Sequence, residues 1–140
     1  MTEWKHDQLL NDLADYCRKQ GKIVFRDQNM GPAGTPRPDV LAINKSYNRW
    51  NPTVFEIKVS RADFLSDIKS GKWTKYYDAA TRVSFAVPAG LVKKTEIPDK
   101  AGLIVRHDKV WRYAKKPTVE PIDNFDRWLW MALLMQLDGW

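Results

Sequence analysis

Two acids and a lysine stand in the most apolar part of this chain. Asp39 lies in "RPDVLAIN" (37–44), and Glu56 and Lys58 lie in "TVFEIKVS" (53–60). Carboxylates brought together in partly buried surroundings repel each other and are costly to desolvate. A divalent cation removes that difficulty. Mg²⁺ takes one or two carboxylates together with waters and substrate phosphate oxygens, so Asp39, Glu56 and the backbone carbonyl of Ile57 form a candidate ligand set. Such an ion polarises a scissile phosphate and activates water. Lys58 beside that water would orient it and offset charge developing on the phosphorane oxygens. The chemistry is hydrolysis of a phosphodiester bond.

Those residues need strands to hold them and helices to cover the strands. Residues 2–20 carry Leu9, Leu10, Leu13, Ala14, Tyr16 and Cys17 at steps of three and four, which predicts an amphipathic helix. Thr2 is a candidate cap at its start, and Gly21 suits a left-handed stop. "KIVFR" (22–26) reads as a strand, and a Gly/Pro-rich loop leads to a second at 39–43. Turn residues in "NKSYNRWNP" then connect to a third at 53–59. The second and third strands are expected to form a hairpin. Alternation along the third strand puts Val54, Glu56 and Lys58 on one face, and Asp39 can face the same way from the neighbouring strand. Glu-x-Lys also occurs at 3–5, and Pro-Asp recurs at 98–99. Only the pair at 38–39 and 56–58 falls in successive apolar strands after a helix.

Downstream, Ser60-x-x-Asp63 is a capping-box pattern that opens a second helix bearing Phe64, Leu65 and Ile68. "KWTKYYDAA" reads as a further helical segment. "RVSFAVP" is a strand closed by Pro88. "AGLIV" and "KVWRY" are two more strands around His107-Asp108. A last helix is expected over 124–137. The order is helix, three strands, helix, strand, two strands, helix: an α/β chain forming a single domain over 1–140.

The composition agrees. A 44% hydrophobic and 29% charged chain is that of a globular domain. It has no run of the roughly 20 apolar residues needed to span a bilayer, and its polar start is no signal peptide. Its single cysteine, Cys17, cannot form an internal disulfide. These features predict a cytoplasmic protein without a membrane partner. A net charge of +6 favours a polyanionic partner, of which nucleic acid is the commonest.

With these motifs in that order, the chain resembles the PD-(D/E)XK nuclease superfamily over about 2–87. Residues 56–105 resemble most closely the MmcB-like DNA-repair nucleases: "EIKVSRADFLSD", "KWTKYYD", "VSFAVP" and "AGLIV" recur in that order, with "IKSG" as a small insertion before Lys72-Trp73. The resemblance implies a restriction-endonuclease-like core, in which helices flank a mixed central sheet. It also implies Mg²⁺- or Mn²⁺-dependent cleavage or processing of DNA, with Asp39, Glu56 and Lys58 as the core site. Many members add an acid from the first helix. Glu3 is the candidate here and Asp7 the alternative, and neither is flanked by a pattern that decides between them.

Plainer roles stand beside these. Glu56 and Lys58 could be the solvated face of a hairpin, and Asp63 reads more readily as a cap than as a ligand. Lys69, Lys72 and Lys75 interleave with Trp73, Tyr76 and Tyr77. Either this is a phosphate-binding, base-stacking surface, or the lysines are solvated and the aromatics belong to the core. Arg37 is a further candidate contact to a DNA backbone, whereas His6 and His107 read as ordinary surface or turn histidines. The apolar surplus of "WLWMALLM" is too wide for a helix with one solvated side. It is therefore either deeply packed or part of a homodimer contact. Two rivals to a nuclease remain: a silent DNA-binding module on the same fold, and a protein-interaction accessory factor using the Trp-rich C-terminus.

Overall fold

The computed structural model describes residues 3–32 and 35–139. Its centre is one six-stranded sheet whose strands follow chain order: β1 (Ile23–Arg26), β2 (Val40–Ile43), β3 (Thr53–Ile57), β4 (Arg82–Pro88), β5 (Gly102–Arg106) and β6 (Trp111–Lys115). β1, β2 and β3 are antiparallel neighbours, as the expected hairpin requires. β3, β4 and β5 run parallel, and β6 turns back antiparallel on β5. The sheet is mixed, with helices on both faces. All five residues of β3 and the five central residues of β4 are buried. Their near-continuous apolar runs are those of strands covered on both sides.

Helix α1 (His6–Lys19) covers one face. Its apolar positions Leu9, Leu10, Leu13, Ala14 and Cys17 pack on Val24, Val40, Ala42, Phe55 and Ile57. Burying each large aliphatic group is worth about 1.5–3 kcal/mol. The helix starts later than its periodicity suggested. Lys5 is the cap, the Gln8 side chain accepts the Lys5 N–H at 3.2 Å, and the expected cap Thr2 lies outside the described residues. Gly21, at φ +84°, supplies the left-handed stop.

On the opposite face lie α2 (Arg61–Ser70), a 3-10 helix at Lys72–Asp78 and α3 (Arg127–Asp138). They cover the other side chains of the same strands, among them Leu41, Val54, Val83, Phe85 and Leu103. Ser60 caps α2 by accepting the Asp63 N–H at 3.1 Å. Gly71, at φ +71°, ends it and turns the chain directly into the 3-10 segment. That segment is helical as expected, in the 3-10 form, and with three residues per turn it lines Trp73 and Tyr76 up on one inward side. The last helix begins at Arg127 rather than 124, because Asp126 caps it by accepting the Leu129 N–H at 2.8 Å. No helix among the described residues is long and apolar enough to cross a membrane.

Candidate active site

The site forms where the β2–β3 ladder stops. Val40 pairs with Phe55, so the same register carried two residues further would set Ile57 opposite Pro38. Proline has no N–H to give. The Asp39 carboxylate closes the ladder instead: its Oδ2 accepts the Ile57 N–H at 2.8 Å. In an antiparallel strand the N–H and C=O of one residue point to the same neighbour, so the Ile57 carbonyl faces this edge too. The Asp39 N–H in turn approaches Glu56 Oε1 at 3.4 Å. Asp39, Glu56 and the Ile57 main chain thus converge at one strand end.

Alternation puts Glu56 and Lys58 on the face covered by α2 and the 3-10 segment, and each finds a partner there. The Tyr76 hydroxyl lies 2.8 Å from Glu56 Oε1 and 3.1 Å from the Arg37 carbonyl. Lys58 Nζ lies 3.0 Å from Asp67 Oδ2 of α2, with the two side chains only 15% and 10% exposed. The solvated hairpin face that the sequence also allowed is therefore not what forms.

Burial dominates the electrostatics. It pushes the Glu56 carboxyl up to about 8, with the Asp39 charge adding to the rise against the Tyr76 hydrogen bond and Lys58. Asp39 is raised as well, by burial, although the Ile57 N–H and His6 oppose it. His6 Nε2 lies 3.4 Å from Asp39 Oδ2 and His6 Nδ1 lies 3.2 Å from Asp7 Oδ1. Burial works against its charge, but the Asp7 and Asp39 contacts outweigh that and raise its pKa. A neutral imidazole has one N–H and cannot donate to both carboxylates.

Two carboxyls both disfavoured in their charged form by burial, Glu56 also by the Asp39 charge, form a place where a cation would be welcome. Among the described residues no group of three or more His, Cys, Asp or Glu side chains is assembled as a metal cage. The donor set is Asp39, Glu56 and the Ile57 carbonyl. It fits Mg²⁺ or Mn²⁺, which pair few carboxylates with water and phosphate oxygens, better than it fits zinc, which favours Cys and His.

Several expected positions fall elsewhere. Glu3 precedes α1 and lines a separate cleft of about 960 Å³ with Trp4, Arg106 and His107. Asp7 points into water, with its side chain 92% exposed. With α1 beginning at His6, Glu3 lies outside the helix, and the group α1 sends to Asp39 is His6, expected to be an ordinary surface residue. Trp73 and Tyr76 are 8% and 7% exposed, so neither is a stacking platform. Trp73 packs edge-on against Phe85 and Tyr77, while Tyr76 serves Glu56. Arg37, Lys69, Lys72 and Lys75 are exposed and stay available to a polyanion.

Asp67 and His6 were missed as site residues. Asp67 carried a usable signal, since it lies three residues after Phe64, the buried anchor of α2. His6 carried one as well, since it lies three and four residues before Leu9 and Leu10, on the face that α1 turns to the sheet.

The Tyr76 contact yields a test. Tyr76→Phe keeps the ring in the core and removes the hydroxyl from Glu56. That hydrogen bond favours the charged carboxylate, so the expected loss of about 1–3 kcal/mol in urea unfolding appears at pH 9 and shrinks at pH 5. An equal loss at both values would mean that the hydroxyl does not act through Glu56.

No protein-family model matches the chain, and neither does any curated protein. Among solved structures it is similar to a protein of unknown function from Silicibacter pomeroyi. The TM-score is 0.76 at 20% identity, covering 99% of this chain and 90% of that one. A likeness at that identity shows the fold alone.

Proposed function

We propose that the chain is a metal-dependent deoxyribonuclease of the PD-(D/E)XK type that hydrolyses phosphodiester bonds, endonucleolytically, in DNA repair or processing in the cytoplasm. The observation that carries the reading is the convergence of Asp39 and Glu56. Both carboxyls are pushed towards neutrality by burial at one strand end, with Lys58 following on the same face. Asp39, Glu56 and the Ile57 carbonyl would hold Mg²⁺ or Mn²⁺, whose contribution when bound is Lewis-acid polarisation of the scissile phosphate.

The chain's own groups do the rest. The Tyr76 hydroxyl holds one oxygen of Glu56, leaving Oε2 to bind. The Ile57 N–H and His6 hold Oδ2 of Asp39, leaving Oδ1. Lys58, kept in place by Asp67, orients the attacking water and offsets charge on the phosphoryl oxygens as one P–O bond forms and another breaks. Arg37, Lys69, Lys72 and Lys75 hold DNA through its phosphates, so binding weakens with rising salt.

A second reading is favoured by one observation. The ammonium of Lys58 is already neutralised by Asp67 at 3.0 Å, as suits a DNA-binding module that no longer cuts. A panel of labelled single-stranded, duplex and branched DNA with Mg²⁺ or Mn²⁺ separates the two, with Glu56→Ala and EDTA as controls. The nuclease reading expects cutting that both controls abolish. DNA retained but uncut by the wild type would move the conclusion to the silent module. Neither cutting nor binding would remove DNA as the partner.

A further inference from the structure

The fold does not absorb the apolar surplus of α3. Leu129 and Leu133 are 2% exposed and pack beneath the helix, whereas Trp128, Met131, Leu134 and Leu137 are exposed by 50%, 50%, 58% and 59%. No charged residue occurs between Arg127 and Asp138. At 3.6 residues per turn, the stripe pointing away from Leu129 and Leu133 runs Arg127, Met131, Leu134, Asp138. Its steps of four, three and four are those of a helix-pairing seam. The stripe and its flanks amount to roughly 500 Å² of apolar surface, at the upper end of what a monomer leaves uncovered.

An open groove lies on each side of this ridge. One, of about 680 Å³, runs between Leu134 and Leu137 of α3 and Tyr47 and Trp50 of the β2–β3 connection. The other, of about 1000 Å³, runs between Trp128, Met131 and Met135 and the segment Asp27–Asn29 after β1. The grooves leave room on both sides of the ridge for side chains of a helix laid along it.

We propose that this face pairs with α3 of a second copy, antiparallel, about a twofold axis passing between Met131 and Leu134. The charges select that arrangement. Antiparallel pairing sets Arg127 of each copy beside Asp138 of the other, while a parallel pair would set arginine against arginine and aspartate against aspartate. The helix dipoles favour the same choice. With its polar rim, a patch of this size approaches the roughly 800 Å² per partner of a standard interface. The proposal does not depend on the nuclease reading.

Sedimentation equilibrium of the full chain at low salt, from micromolar to millimolar concentration, tests it. The wild type is expected to dimerise, and Leu134→Glu to remain monomeric with an unchanged circular dichroism melt. Arg127→Glu and Asp138→Arg, both on the surface, should each weaken dimerisation by roughly tenfold. The double reversal should restore the wild-type constant to within about twofold, because the pairs re-form with their signs exchanged. A folded wild type that stays monomeric throughout overturns the proposal and leaves the face to a different occupant. So does a dimer that survives Leu134→Glu, or a double reversal that does not restore pairing.

Discussion

Glu56→Gln is expected to lower metal-dependent cleavage by at least about 1,000-fold while stabilising the metal-free protein at alkaline pH. The two effects share one cause. Burial of the Glu56 carboxyl beside Asp39 raises it to about 8 in the folded chain, against about 4.3 in an unfolded one. The folded state therefore binds more protons than the unfolded state between those values, and stability falls as pH rises through that window. Below about pH 4 the group is neutral in both states and costs nothing. Above pH 8 it is charged in both, and the folded state bears the full penalty, on the order of a few kcal/mol.

Glutamine removes the charge and keeps an oxygen for the Tyr76 hydroxyl. Urea unfolding in EDTA should show the variant more stable than wild type at pH 9 and equal to it at pH 4. The same charge is what a bound cation would compensate, so the glutamine variant should lose metal affinity along with activity. Full cleavage by Glu56→Gln would take Glu56 out of the site. An equal gain at both pH values would mean that its burial has no electrostatic consequence.

The second large effect concerns Lys58. Lys58→Met leaves the Asp67 carboxylate, 10% exposed, without its cation, and the expected loss is about 3 kcal/mol at neutral pH, because an unpaired charge must stay near the interior. Lys58→Met combined with Asp67→Leu should recover most of that loss, since an apolar pair of similar volume replaces an ionic one. Cleavage should be absent from both variants. This separates two roles for the lysine. If it serves only to pair with Asp67, the double variant regains activity as well as stability; if it acts on water and phosphate, only stability returns. A double variant as unstable as the single one would show that the ion pair is not an energetic unit.

Much of the site is legible in local sequence patterns. Two-residue alternation puts Glu56 and Lys58 on one face of β3, whatever covers that face. The turn residues between 44 and 52 make β2 and β3 antiparallel neighbours, and this brings Asp39 to Glu56. The three- and four-residue spacing of Leu9, Leu10, Leu13, Ala14 and Cys17 identifies the face of α1 that meets the sheet. These inferences hold because the signal and the structure it specifies lie within one or two turns or one strand pair.

The remaining features depended on how one element packs against another. Within α1, periodicity puts His6 at the centre of the face set by Leu9, Leu10 and Leu13 and Asp7 at its edge, while whether Glu3 joins the helix at all turned on where α1 starts. Whether Trp73 and Tyr76 meet DNA or the core turned on the 3-10 geometry after Gly71 and on the depth at which it sits against β4. Spacing from Phe64 marks Asp67 as lying on the inward side of α2, but its contact with Lys58 depended on how the turn after β3 folds α2 back towards that strand. In α3 the sequence determined that the apolar band was too wide, and only the tertiary structure decided that Leu129 and Leu133 take the core while Met131 and Leu134 face outward. Periodicity sets the angles between side chains on one element. Which of those angles becomes the inside is set by the sheet against which the element packs.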